Sequence, residues 1–217
     1  ISGLKMLESL PGFNVQTDGA LGLYEFGNSV NVRAFNLSQM GFVLNGVPMG
    51  RSDAFGGSPI FRYVDNENLA SVVASPGAGD VSAPSYSTLG PIASYYSVDP
   101  SDEMGGMMSL TLGDDDLQRS FIKLETGDID GFKAFVSRSK TDSDLWRGPG
   151  TIDREHIEAK AVYAFSVDSK LTFNYVANDF FDYDSPSATE ATFEDDYYYS
   201  YLESIPEGCI AAMPQVY

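Results

Sequence analysis

The sequence predicts a small mixed α+β unit with long loops, followed from about residue 104 by an antiparallel β meander. Two observations carry this reading. The first hundred or so residues mix short, irregular apolar runs with Gly, Pro, Ser and Asn. After them come runs that alternate apolar and polar residues, the period of a strand. The composition agrees, since 13 Tyr, 14 Phe and 21 Gly against one Trp suit pleated surfaces and many turns.

The first unit opens on "SGLKMLESLPGF", which predicts one brief helix. Ser2 is placed to cap it, Leu4, Leu7 and Leu10 share a face, and Pro11-Gly12 stops it. "SVNVRAF" and "GFVLNGVPM" each read as a short strand, with "NLSQM" between them. "LASVVASPGAG" predicts another strand, ended by Pro76 and Gly77, and "GPIASYYSVDP" one more. The meander then runs through "MMSLTLG", the acidic tip "DDD", "QRSFIKLETG", the tight turn "DIDG" and "FKAFVSRSKTDSD". Gly131 is placed for positive φ in that turn. The loop "LWRGPGTID" leads into two further strands within "REHIEAKAVYAFSVDSKLTFNYVAND", joined by "SVDS". The remainder, from about residue 185, has no clear period and reads as a long loop.

Faces follow from the period. Ile157, Ala159, Ala161, Tyr163 and Phe165, with Leu171, Phe173, Tyr175 and Ala177, form an apolar face. His156, Glu158, Lys160, Lys170, Thr172, Asn174 and Asn178 lie opposite. Tight turns on one side, growing loops on the other and aromatic residues near strand ends are features of an outer-membrane barrel. A soluble antiparallel sheet shows the same alternation, so periodicity alone leaves core and lipid open. No run of 18 or more apolar residues occurs, which excludes a membrane helix and says nothing about strands.

The formal charge of -18, from 31 acidic and 13 basic residues, argues against nucleic acid as a partner and against docking on an anionic membrane surface. The single cysteine, Cys209, allows neither an internal disulfide nor a cysteine-type zinc site. It is either an inert thiol or the partner of a cysteine outside this sequence.

A family resemblance lies in the first unit. Its pieces are Leu10-Pro11-Gly12-Phe13, Val32-Arg33-Ala34-Phe35, Val43-Leu44-Asn45-Gly46-Val47-Pro48, the stretches 69–79 and 86–90, and Gly105-Gly106. Their order and spacing closely resemble the plug domain and barrel entry of TonB-dependent outer-membrane receptors. Three positions depart from the usual pattern: Ala34 and Gly90-Pro91 where glycines are common, and Asn45 for Asp. Ala34 raises the expectation of a different backbone path after Arg33.

The resemblance implies a membrane β-barrel with an internal α+β plug domain. Residues 1–104 would be the plug and 105–217 the start of the barrel, with a long extracellular loop from about 185. About five strands are legible here, whereas such receptors close a 22-stranded barrel. Five strands cannot enclose a plug, and an open edge in hydrocarbon leaves backbone groups unpaired. The family's energy-coupling segment is not found ahead of Ile1. The expectation is therefore an incomplete segment of a larger receptor.

The implied function is TonB-dependent active uptake of a scarce nutrient, siderophore-iron or similar, across the bacterial outer membrane. The implied partners are the TonB-ExbB-ExbD complex, outer-membrane lipid and a small nutrient ligand. No cofactor is implied. On the family layout two apical loops would carry ligand contacts at Tyr24, Phe26, Arg51, Asp53 and Phe55, although the three aromatic residues suit packing on the barrel wall better. Arg33 is implied to pair with inner-wall carboxylates, for which Glu125 and Glu158 are candidates.

"FEDDYYYSY" reads either as an extracellular recognition loop or as a mobile solvated one. The acidic runs at 114–116 and 179–184 lack EF-hand spacing. No nucleophile elbow or phosphate loop accompanies the one histidine, His156, so nothing selects an enzyme. The competing class is a soluble or surface-attached β-rich binding module.

Overall fold

The computed structural model describes residues 3–17, 21–22, 27–49, 59–74, 77, 90–183 and 189–198. Tyr24, Phe26, Arg51, Asp53, Phe55 and Cys209 lie outside the described residues. The predicted opening helix is a 3-10 helix over Gly3–Ser9, which buries Gly3, Leu4 and Leu7. Residues three apart eclipse in this geometry, so Leu4 and Leu7 point together into the core.

Strands β1 (Phe13–Gln16), β2 (Ser29–Val32) and β3 (Phe35–Asn36) form a three-stranded antiparallel sheet. β1 follows the Gly12 turn and alternates buried Phe13 and Val15 with exposed neighbours. "SVNVRAF" was expected to run as one strand; it folds back on itself instead. Val32 pairs with Phe35, and the two-residue turn between them puts Arg33 at φ 55°. With Ala34 in the turn, the left-handed conformation falls on Arg33, a conformation that costs a residue with a Cβ roughly 1–2 kcal/mol. "GFVLNGVPM" is likewise two strands, β4 (Gly41–Leu44) and β5 (Val47–Met49). Asn45 at φ 51° and Gly46 at φ 83° make the tight turn, with both central residues left-handed as the hairpin twist requires.

β4 and β5 belong to a four-stranded sheet completed by β6 (Leu69–Ala74) and β7 (Ile92–Ser97), in the order β5-β4-β7-β6. β4 runs parallel to β7 and the other pairs are antiparallel. The two small sheets share one core, in which Leu4, Leu7, Val30, Val32, Phe42, Ile60 and Tyr95 are buried. The Tyr95 hydroxyl donates to the Gly3 carbonyl at 3.1 Å, so the opening helix is fastened to the middle of the second sheet.

The meander forms as expected. Strands β8 (Met104–Leu112), β9 (Gln118–Thr126), β10 (Phe132–Asp144), β11 (Thr151–Ser166) and β12 (Ser169–Asp182) pair with their sequence neighbours in one antiparallel sheet. Gly131 takes φ 83° in the β9–β10 turn. Among the described residues β8 and β12 each pair on one side only, and the sheet is open. The region after β12, expected as loop, contains a short helix α1 (Glu190–Asp195). Thr189 caps it by accepting from the Thr192 amide at 3.2 Å.

One close approach joins the small sheets. A Cβ on Gly90 would sit 2.8 Å from Phe35 Cγ and 3.1 Å from the Gln39 carbonyl oxygen. Gly90→Val should therefore destabilise this unit by about 1–3 kcal/mol through overpacking. The measurement is urea unfolding of the complete protein followed by limited proteolysis within residues 3–97. Unchanged protection there would refute the prediction.

Candidate functional site

The inward face of the meander is built in rows set by strand register. Arg119 (β9), Thr141 (β10) and Arg154 (β11) lie side by side, then Phe121, Ser139, His156 and Asn178. The next rows are Lys123, Ser137 and Glu158, then Glu125, Phe135 and Lys160. The middle strand thus offers three small hydroxyl side chains flanked by long charged ones. This leaves a groove with cations along its sides.

The turn Asp65–Asn68 of the small-sheet unit fills that groove. Asp65 precedes the 3-10 turn Asn66–Asn68 in the N-cap position, yet its side chain makes no capping bond. It faces the meander instead. Ser139 Oγ donates to Asp65 Oδ2 at 2.6 Å and Arg154 Nη1 donates to Oδ1 at 2.7 Å. Arg119 Nη2 lies 3.6 Å from Asp65 Oδ1 and grips Glu67 with both terminal nitrogens, at 2.7 and 3.1 Å. Asn68 Nδ2 donates to Ser137 Oγ at 2.7 Å and to Glu158 Oε2 at 2.8 Å. Asp65, Asn68, Arg119, Arg154, His156 and Glu158 are all buried.

Two further ties lie below this turn. Lys160 Nζ reaches Asp99 Oδ1 at 2.8 Å and also donates to the Ser97 and Val98 carbonyls. Ser97 in turn exchanges two 2.9 Å hydrogen bonds with the Asn45 side chain. The β4–β5 turn is thereby linked through Ser97 to the meander. Asn45 suits this role because its amide both donates and accepts, which a carboxylate does not. The inward aromatic rings are covered by cations: Arg119 over Phe121 at 5.6 Å and Lys123 over Phe135 at 4.4 Å.

Burial by itself raises the Asp65 carboxyl pKa, but the Arg154 guanidinium and the bonds from Arg154 and Ser139 outweigh it and hold the group well below the usual carboxylate range. Asp99 is also held low, chiefly by its hydrogen bond from Lys160.

Of the residues singled out in the sequence, Glu158 sits in this seam, where Asn68 donates to it. Glu125 also lies on the inward face and pairs with Lys123 at 3.1 Å. Arg33 is exposed at the tip of the β2–β3 turn. Asp65, Glu67, Asn68, Arg119 and Arg154 were not foreseen. The available signal was "VDNEN", a polar run between apolar segments, together with Arg119 and Lys123 on one face of β9 and Arg154 and Lys160 on one face of β11.

Asp65→Asn would leave Arg154 buried without its carboxylate, at a cost of about 3–5 kcal/mol. The pH dependence follows from the depressed pKa. Stability from Asp65 is fully present above its unfolded value of 3.8 and is lost as pH falls below that value toward the folded pKa. Urea unfolding of the complete protein should show an acid limb below about pH 4 that shrinks in the variant. Equal stability and equal acid limbs would contradict this assignment.

No family model and no curated protein sequence matches the chain. Solved structures do. The pyoverdine outer membrane receptor FpvA from Pseudomonas aeruginosa PAO1 matches with a TM-score of 0.63 and 16% identity, over 78% of this chain and 24% of that one. The alcaligin outer membrane receptor FauA from Bordetella pertussis matches at 0.60 and 14% identity, over 81% and 28%. The FrpB iron transporter from Neisseria meningitidis matches at 0.66 and 13% identity, over 82% and 30%. The chain thus spans about a quarter to a third of the length of these structures. They are receptors and transporters rather than enzymes. The chain has the fold of part of a TonB-dependent outer-membrane receptor.

Proposed function

We propose that residues 1–104 are the plug and residues 105–217 the opening wall of a receptor that carries a scarce nutrient, siderophore-iron or similar, across the bacterial outer membrane. The observation that carries this reading is the opposite character of the two faces of one sheet. The inward face holds charged groups against the small-sheet unit. The outward face is apolar and bare, with Met104 83% exposed, Met108 77% and Phe173 61%. Leu110, Leu112, Leu124, Leu171 and Tyr175 extend it. Soluble proteins rarely leave so broad an apolar surface open.

The band has edges. Toward the loops, ion pairs cross the outward face between Arg138 and Glu155 at 2.7 Å and between Lys140 and Asp153 at 3.3 Å. Toward the turns stand Tyr163 and Phe165, packed edge to face with centroids 4.8 Å apart. At ~3.3 Å per residue and ~45° tilt, the stretch from Ile157 to Phe165 rises roughly 20 Å, close to the ~25 Å apolar band of outer-membrane barrels. Further strands of the same protein would pair with β8 and β12 and close the wall. Energy would come from the TonB-ExbB-ExbD complex, and the ligand would meet the apical loops through Tyr24, Phe26, Arg51, Asp53 and Phe55. Arg33 and Glu125 are proposed plug–wall contacts within the closed lumen, and Glu158 serves that role through Asn68.

In the complete protein, Phe173→Arg should impair membrane assembly by about 2–4 kcal/mol, while Thr172→Arg, on the lumen face, should assemble normally. Heat-modifiable mobility of the detergent-extracted protein reads out the difference. Equal behaviour of the two variants, or recovery of the native protein without detergent, would favour the soluble binding module. For the apical loops, Arg51→Ala with Phe55→Ala should lower uptake in cells that display normal receptor levels. Full uptake would remove both from the ligand site.

A further inference from the structure

At the loop end of the meander, two segments far apart in sequence meet through aromatic rings. The β10–β11 loop closes on itself by a hydrogen bond from the Leu145 amide to the Gly150 carbonyl at 3.0 Å. This presents Trp146 and Arg147 toward α1. The Arg147 guanidinium lies 5.4 Å from the Trp146 ring centre and 5.1 Å from that of Phe193. Tyr197 packs on both rings, 5.8 Å from Trp146 and 6.1 Å from Phe193, and Tyr198 stands edge-on to Tyr197 at 5.3 Å.

The inner side of this stack already holds a cation. Arg147 is buried there between two rings, the arrangement that a delocalised, weakly hydrated guanidinium favours. The outer side is open: Tyr197 is 62% and Tyr198 66% exposed. The rim is acidic. Glu190, Glu194, Asp195 and Asp196 neighbour these rings in sequence and are exposed, and residues 189–198 contain no Lys or Arg. Electron-rich ring faces and neighbouring carboxylates both favour a positive group. An anionic ligand would meet repulsion from the same carboxylates.

We propose that the outer faces of Tyr197 and Tyr198, with Trp146 behind them, form a docking surface for a guanidinium-type cation on the ligand received at the loop end. This rests on the reading above, in which that end faces the outside of the cell. It adds to that reading a chemical class, a delocalised cationic group, and a place on the β10–β11 loop and α1.

The test uses the complete receptor in detergent micelles and a matched pair of probes. Arginine amide carries the guanidinium; citrulline amide has the same shape and the same ammonium group but a neutral urea end. Saturation-transfer NMR should show arginine amide binding at least several-fold more tightly than citrulline amide, and the preference should weaken as salt is raised. Tyr197→Leu with Tyr198→Leu should abolish the preference. Tyr197→Phe with Tyr198→Phe, which keeps the ring faces, should retain it. Heat-modifiable mobility shows that each variant still assembles. Equal binding of the two probes, or a preference that survives the leucine variant, would overturn the proposal. A receptor that assembles in the outer membrane and yet shows no preference refutes this surface alone. Failure to find the protein in the outer membrane refutes the transport reading itself.

Discussion

The structure depends on one buried carboxylate. Asp65 sits between Arg154 and Arg119 and takes a third contact from Ser139. None of these groups could be shut away from water alone, because an isolated buried charge costs several kcal/mol. Each is tolerable only because the others are present, and they come from four separate segments. The small sheets and the meander are therefore fixed to each other by charge along this seam.

That dependence explains the choice of side chains on β10. Ser137, Ser139 and Thr141 are small, so a turn from another unit can approach the sheet closely. The Ser137 and Ser139 hydroxyls also pair with the approaching Asn68 and Asp65. Larger apolar residues would have closed the groove, and alanines would have left Asn68 and Asp65 short of hydrogen bonds. The flanking strands supply the long cations, whose charged ends lie over Phe121 and Phe135 and also reach the turn or a neighbouring acid. Each feature depends on the two-residue period of the strands and on their pairing.

The sequence made the meander legible because its period is local: each strand shows its alternation within its own residues. The small sheets were harder. "SVNVRAF" and "GFVLNGVPM" each contain a chain reversal, and only the second carries the Asn-Gly pair that marks one. In the first, the reversal rests on Arg33, a residue with no intrinsic liking for positive φ, so the surrounding sheet imposes it. The short helix α1 was hidden because six residues leave too little period to read. The seam was invisible for a different reason. Asn68 and Glu158 lie 90 positions apart, and no single stretch of sequence announces that they will meet. Resemblance to plug motifs pointed to a contact between the two units and nominated Arg33, while the turn that makes the contact lies in a stretch that those motifs do not cover.

The polar lining of the seam also determines what its two halves would be if they parted. An ordinary domain core, once opened, exposes hydrocarbon, and the loose surfaces tend to collapse or aggregate. Here the exposed groups would be carboxylates, guanidinium groups, amides and hydroxyls, all of which water solvates well. The rings beneath Arg119 and Lys123 would remain shaded by their cations. Parting the two halves along this seam would therefore expose mainly groups that water solvates.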